Sequence, residues 1–171
     1  AGLLPYFQKR CRNTDKILKA MYVAAGIGQI IATRSSISGA AGGCQAEIGS
    51  ASSMAAGALT YLQGGNCEQI ATAAAMAMKN LLGRVCEPVG GLVEVPCVKR
   101  NVIGTVNAMA CADMAMAGIV SRIPPDQVMD AMKEVGDKMD ASLRETALGG
   151  LARTEEGVKI AEKMHASQEN W

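Results

Sequence analysis

The chain has 171 residues, a formal net charge of +1, a pI near 7.8 and 49% hydrophobic residues. That length fits one domain with a real core, and the balanced charge supplies no field that would favour nucleic acid or a membrane surface. One Trp, three Tyr and one Phe leave no base-stacking platform, so the core must be filled by close helix approach and adaptable Met side chains.

Asn13, Thr14 and Asp15 are N-cap residue types ahead of an apolar-periodic run, which predicts a helix over about 15–33 that buries Ile17, Met21, Ala24 and Ile27. Residues 34–43, with three serines and three glycines, read as loop; a second helix then starts near Cys44 and ends at Gly64-Gly65. Asn66 caps a third helix through about Leu82, with Gly83 as its stop. The stretch 84–97, bracketed by prolines around a Gly-Gly, excludes regular helix. Helical periodicity resumes over 99–120, Pro124-Pro125 precedes a helix over about 126–140, and Thr154-Glu155-Glu156 opens a last helix through about Met164, followed by a frayed polar end from His165.

The expected fold class is therefore all-α: one compact multi-helix domain over 1–171, with irregular cysteine-bearing loops and no sheet larger than a two-stranded ribbon. The apolar runs at 20–33 and 102–120 contain Gln29, and Asn107 with Asp113, respectively. They read as buried helices rather than membrane spans.

Six cysteines without a secretory signal read as reduced thiols in a cytoplasmic protein. Cys44, Cys86 and Cys97 lie in Gly- and Pro-punctuated turns, where thiolates can converge; Cys111 falls on an apolar helix as a core residue, and Cys11 and Cys67 read as partly exposed bystanders. Three converging thiolates can hold three corners of a four-iron cluster and leave the fourth iron open to a substrate oxygen. There is no CxxC, so spacing alone leaves buried free thiols, zinc, thiol redox and iron–sulfur chemistry all open.

A helix N-terminus at Cys44, with Arg84, Lys99 and Arg100, would favour the thiolate form, or the cations form a solvated face. Lys99 and Arg100 follow Cys97 closely, after Val98, and suit a carboxylate clamp. The loop from Ser35 to Ala40 offers hydroxyls and unhindered backbone N–H groups, a composition for a small anion or an ordinary turn. Glu47, Glu87 and Glu94 read as capping or surface carboxylates, or as a base. Asn80 and Asn101 read as polar contacts or helix caps, and His165 as a surface residue.

Two segments carry a resemblance: Ser-Ile-Ser-Gly-Ala-Ala-Gly-Gly-Cys-Gln-Ala-Glu-Ile-Gly at 36–49 and Val-Cys-Glu-Pro-Val-Gly-Gly-Leu-Val-Glu-Val-Pro-Cys-Val-Lys-Arg-Asn at 85–101. With Gly-Thr-Val-Asn-Ala-Met at 104–109, Ser-Arg-Ile-Pro at 121–124 and Arg-Glu-Thr-Ala-Leu-Gly-Gly-Leu-Ala at 144–152, the chain from about Ser35 to Arg153 resembles the C-terminal half of the α chain, or α domain, of bacterial iron–sulfur-dependent L-serine dehydratases. The resemblance implies a [4Fe–4S] cluster on Cys44, Cys86 and Cys97, and deamination of L-serine to pyruvate and ammonia without pyridoxal phosphate. It also implies a β chain or β domain that carries part of the site, and a homo- or hetero-oligomer. Ser36, Ser38, Gly39, Lys99 and Arg100 become the expected substrate-binding residues. The general base is expected outside this chain, because the family's α region extends well upstream of Ala1. The chain is thus expected to be a fragment, inactive alone. A non-catalytic iron–sulfur sensor or structural module, and a zinc or thiol-redox helical protein, are the alternatives.

Overall fold

In the computed structural model, which describes residues 8–9, 13–92 and 95–168, Asn13 Oδ1 accepts a hydrogen bond from the Lys16 N–H (3.0 Å) and opens α1 (Thr14–Arg34). A single helical turn, α2 (Gly39–Gly42), precedes α3 (Cys44–Leu62). Asn66 and Gln69 form a reciprocal capping box at the start of α4 (Cys67–Lys79). After a 3-10 turn at Val89–Gly91 come α5 (Cys97–Met116) and α6 (Pro125–Lys138), the latter with proline in its first turn. Two further 3-10 turns, Ala141–Leu143 and Gly150–Arg153, lead into α7 (Glu155–Gln168). Among the described residues there is no strand, only an isolated bridge between Cys86 and Arg144, so the fold is all-α.

The centre of the bundle is α3, which packs against α1, α4, α5 and α6. Its sequence explains why: Ala, Gly and Ser supply most of its length, so neighbouring helices approach closely on several sides. Ala56 and Leu59 of α3 meet Ala73, Met76 and Ala77 of α4 and Ala108, Cys111, Ala112 and Ala115 of α5 in one cluster. A second cluster joins Ile31 of α1, Ala75 and Met78 of α4, and Val128, Met129 and Met132 of α6. Where α3 crosses α5, a Cβ on Gly104 would stand 2.7 Å from Ile48 Cγ2, so only glycine allows that contact.

Two buried hydroxyls of α3 find acceptors on adjacent helices. Ser52 Oγ donates to Gly104 O (2.7 Å), and Ser53 Oγ to Ala74 O (2.6 Å). Asn107 donates to both Ser52 Oγ and Ala77 O (2.9 Å each) and accepts from Asn80 (2.7 Å). Asn80 is therefore part of a structural network joining three helices.

Several expectations are corrected. Met21 is 49% exposed, and α1 instead buries Ala20, Ala24 and Ile31. The apolar runs are half-buried rather than buried: Leu18, Tyr22 and Ile30 of α1, and Val98, Val102, Ile103 and Val106 of α5, face outward. The third helix stops at Lys79, α5 begins at Cys97 and ends at Met116, α2 interrupts the 34–43 loop, and α7 continues through Gln168. The polar run from His165 stays helical because α7 already supplies its hydrogen bonds; residues 169–171 lie outside the described residues. No helix among the described residues is long and apolar enough to cross a membrane.

Met132 is 1% exposed, so Met132→Ala is expected to lower the unfolding free energy by about 2–5 kcal/mol. Asn66→Ala, which removes one cap, is expected to cost only about 1 kcal/mol. Urea unfolding followed by far-UV circular dichroism should give that order.

Candidate metal centre

Three segments deliver three thiols to one place. Gly43, at φ 74°, turns the chain so that Cys44 becomes the first residue of α3, while Arg84 O accepts the Gln45 N–H (2.9 Å). A Cβ on Gly43 would stand 2.9 Å from Arg84 O in a left-handed conformation that side chains disfavour. Cys97 is the first residue of α5. Cys44 and Cys97 thus both sit at the positive end of a helix.

Cys86 lies in the extended segment between α4 and α5. Its N–H donates to Leu143 O and its carbonyl accepts from the Glu145 N–H, both at 2.8 Å. The 141–149 loop therefore clasps Cys86 by its backbone. Cys44, Cys86 and Cys97 are 0%, 2% and 8% exposed. The ligand atoms of Cys44, Glu47 and Cys86 all lie within 4.8 Å of one another, and the Cys44 thiol is near enough to Cys86 and Cys97 to act on the ionisation of both.

Electrostatics follow from this crowding. Burial first, then the Cys44 thiol and the Glu145 carboxylate, push the Cys86 thiol well above its ordinary value. Burial, Cys44 and Glu47 raise Cys97, with Arg100 opposing. Buried thiols such as Cys86 and Cys97, which resist ionisation, suit a cation placed beside them, and soft thiolate donors select iron–sulfur or zinc centres. The donor set fits such a group.

Arg100 is not a free clamp. Its guanidinium pairs with Glu87, donates to Val85 O (3.0 Å) and lies 4.0 Å from Cys44 Sγ. Glu87, read from sequence as a surface or capping carboxylate or a base, is 5% exposed. Lys99 is exposed on the first turn of α5, and Asn101 Nδ2 donates to Cys97 O (3.0 Å). Ser36 Oγ accepts from the Ser38 N–H (3.1 Å), and Ser38 precedes α2 without a side-chain cap bond. Gly39 approaches the thiols directly: a Cβ there would stand 3.4 Å from Cys86 Sγ and 3.2 Å from an oxygen of both Glu47 and Glu145. Gly39 is thus beside Cys86, and Ser38 directly precedes it.

Glu145 was missed in the sequence, although it lies in the Arg-Glu-Thr stretch that carries the resemblance. Among the other cysteines, Cys67 is exposed, and Cys111 is buried against Asn80 and Asn107. Cys11 and Glu94 lie outside the described residues. His165, in the last turn of α7, is exposed.

Residues 1–152 match the family model described as serine dehydratase alpha chain. The chain is similar to a probable L-serine dehydratase alpha chain of Latilactobacillus sakei, with 52% identity over 160 residues, 93% of this chain and 77% of that one. To the probable L-serine dehydratase alpha chain of Bacillus subtilis the identity is 55% over 150 residues, covering 88% of this chain and 50% of the relative. To the L-serine dehydratase alpha chain of Peptoniphilus asaccharolyticus it is 50% over 150 residues, covering 86% and 51%. The chain therefore spans about half the length of the last two.

Two measurements check the electrostatics. Arg100→Leu strands the Glu87 charge in the interior and is expected to cost about 3–5 kcal/mol of stability, part of which Arg100→Leu combined with Glu87→Gln recovers. Burial pushes the Cys111 thiol up to about 11, with Lys79 opposing. The unfolded chain then loses that proton first, so stability falls as pH rises from the ordinary thiol value towards 11. Cys111→Ala should flatten that part of the pH profile.

Proposed function

The chain belongs to the serine dehydratase alpha chain family, and on that premise we propose that it is the cluster-bearing portion of an enzyme that deaminates L-serine to pyruvate and ammonia. Cys44, Cys86 and Cys97 would hold three corners of a [4Fe–4S] cluster. The observation that carries this reading is the convergence of three buried thiols from three separate segments, two of them on helix N-termini. When bound, the cluster supplies an iron without a protein thiolate, a Lewis acid for the departing hydroxyl.

The chain's own residues bind and orient. Ser36, Ser38 and Gly39 form the small-residue turn beside Cys86, where a substrate can approach without meeting a side chain at residue 39. Lys99, exposed next to Cys97, adds positive charge for the serine carboxylate. Arg100 acts by holding Glu87, Val85 and Cys44 in register. Deamination also needs removal of the Cα proton. We assign that base to another part of the enzyme, in line with a site shared with a β chain or β domain in a homo- or hetero-oligomer. Reduced thiols of this kind belong in a cytoplasmic enzyme.

A second reading has one specific observation behind it: among the described residues, the ligand atoms of Cys44, Glu47 and Cys86 are close enough to hold a single zinc ion. Acid-labile sulfide separates the two.

In the complete enzyme, anaerobically reconstituted, Cys44→Ser, Cys86→Ser and Cys97→Ser are each expected to lose iron, acid-labile sulfide and serine deamination. Full cluster content in the Cys86→Ser protein would remove that ligand from the assignment. Air should abolish wild-type activity, and ferrous iron with reductant should restore it; rescue by pyridoxal phosphate alone would overturn the mechanism.

A further inference from the structure

Two carboxylates and a thiol converge on one point of the Gly39 turn. The position of a Cβ on Gly39 is 3.2 Å from Glu47 Oε2, 3.2 Å from Glu145 Oε2 and 3.4 Å from Cys86 Sγ. The two carboxylate oxygens are therefore no further apart than those two contacts laid end to end. Glu47 comes from the first turn of α3, three residues beyond Cys44. Glu145 comes from the far end of the chain and is held at φ 65°, a conformation uncommon for a residue with a side chain.

Its placement is fixed on both sides. The Glu145 N–H donates to Cys86 O, and the Cys86 N–H donates to Leu143 O. Within the loop, Ser142 N–H donates to Asp140 Oδ1 (2.8 Å) and Thr146 Oγ1 to Ala141 O (2.9 Å). Glu87, the third carboxylate of this region, is buried and neutralised by Arg100. Glu47 and Glu145 are exposed, and among the described residues neither pairs with a cation nor accepts a hydrogen bond. They rim the centre whose floor is the buried sulfurs.

An amino-acid substrate brings the missing positive charge. In serine the ammonium sits on the carbon next to the one bearing the hydroxyl, so a hydroxyl directed towards the sulfurs carries the ammonium to the rim. Resting on the serine-deaminating reading, we propose that Glu145, with Glu47 facing it across the Gly39 turn, receives the α-ammonium group of the substrate. Charge-assisted hydrogen bonds from the ammonium satisfy both carboxylates. The rim then discriminates for zwitterionic hydroxy amino acids and against 2-hydroxy acids of the same shape, which carry a hydroxyl where the ammonium should be.

The test uses the complete reconstituted enzyme and two probes, L-serine as substrate and L-glycerate as the analogue with hydroxyl in place of ammonium. Iron, sulfide, kcat, KM and the glycerate inhibition constant are measured for wild type, E145Q, E47Q and E145D. Glu145→Gln and Glu47→Gln should keep wild-type iron and sulfide and raise KM for serine roughly 10- to 100-fold. Inhibition by glycerate should be unchanged or tighter, and Glu145→Asp should recover part of the loss. An unchanged KM overturns the assignment. So does a parallel loss of serine and glycerate binding, which would mark general damage, or a loss of iron, which would make the carboxylate part of the metal site. Should Glu145→Gln fail to fold, Glu47→Gln, on a regular helix, gives the same readout. A wild-type enzyme that holds its iron yet leaves serine intact refutes the functional reading and the ammonium site with it, whereas failure confined to the variants refutes the ammonium site alone.

Discussion

Arg100 reaches from the first turn of α5 across the segment that carries Cys86, pairing with Glu87 on one side of that cysteine and donating to Val85 O on the other. The same guanidinium lies 4.0 Å from Cys44 Sγ. One side chain therefore touches the neighbourhoods of all three thiols, since its own helix begins at Cys97. A planar fork with donors on several edges can do this, and a lysine with a single ammonium cannot. Removing either partner would leave the other charged and buried, so the pair constrains geometry more than it adds net stability. Around it, the remaining loops have only to bring their backbones into register.

The bundle provides the frame for that register. Small residues along α3 let α1, α4, α5 and α6 close on it. Gln45, one residue beyond Cys44, donates to Met132 O and accepts the Gly83 N–H, both at 2.9 Å. Thus the end of α3 that carries a thiol is tied to α6 and to the exit of α4. The 141–149 loop then closes over the front, bringing Glu145 to Cys86 without a regular strand on either side.

Much of this was legible in the sequence, for local reasons. Asn13 and Asn66 announced helix starts because a cap is satisfied within its own turn. The helical class followed from periodicity, and the resemblance singled out Cys44, Cys86 and Cys97. What was not legible depends on pairings between distant segments. Glu87 stands between Cys86 and Pro88 and looks like a solvated turn residue until Arg100 is folded onto it. Glu145 follows an arginine in a polar stretch and gains its place only through the backbone of Cys86. The outward face of α1 was misread at Met21 because periodicity defines an apolar stripe but not which edge of it a neighbouring helix will cover.

The two helix-end cysteines sit on helices held by one shared core, α3 through Ala56 and Leu59 and α5 through Ala108, Cys111 and Ala112. That core contains no residue of the thiol site, whereas Cys44 and Cys86 pack with Ile48 and Leu81 in a separate cluster. On the proposed reading the apoprotein would be a standing chelator, unlike a small zinc finger that folds around its metal. Two sulfurs wait at positions the bundle has already fixed, and the Cys86 segment supplies the remaining reach. A metal arriving there would meet a half-built socket, the entropy of gathering its ligands having largely been lost beforehand.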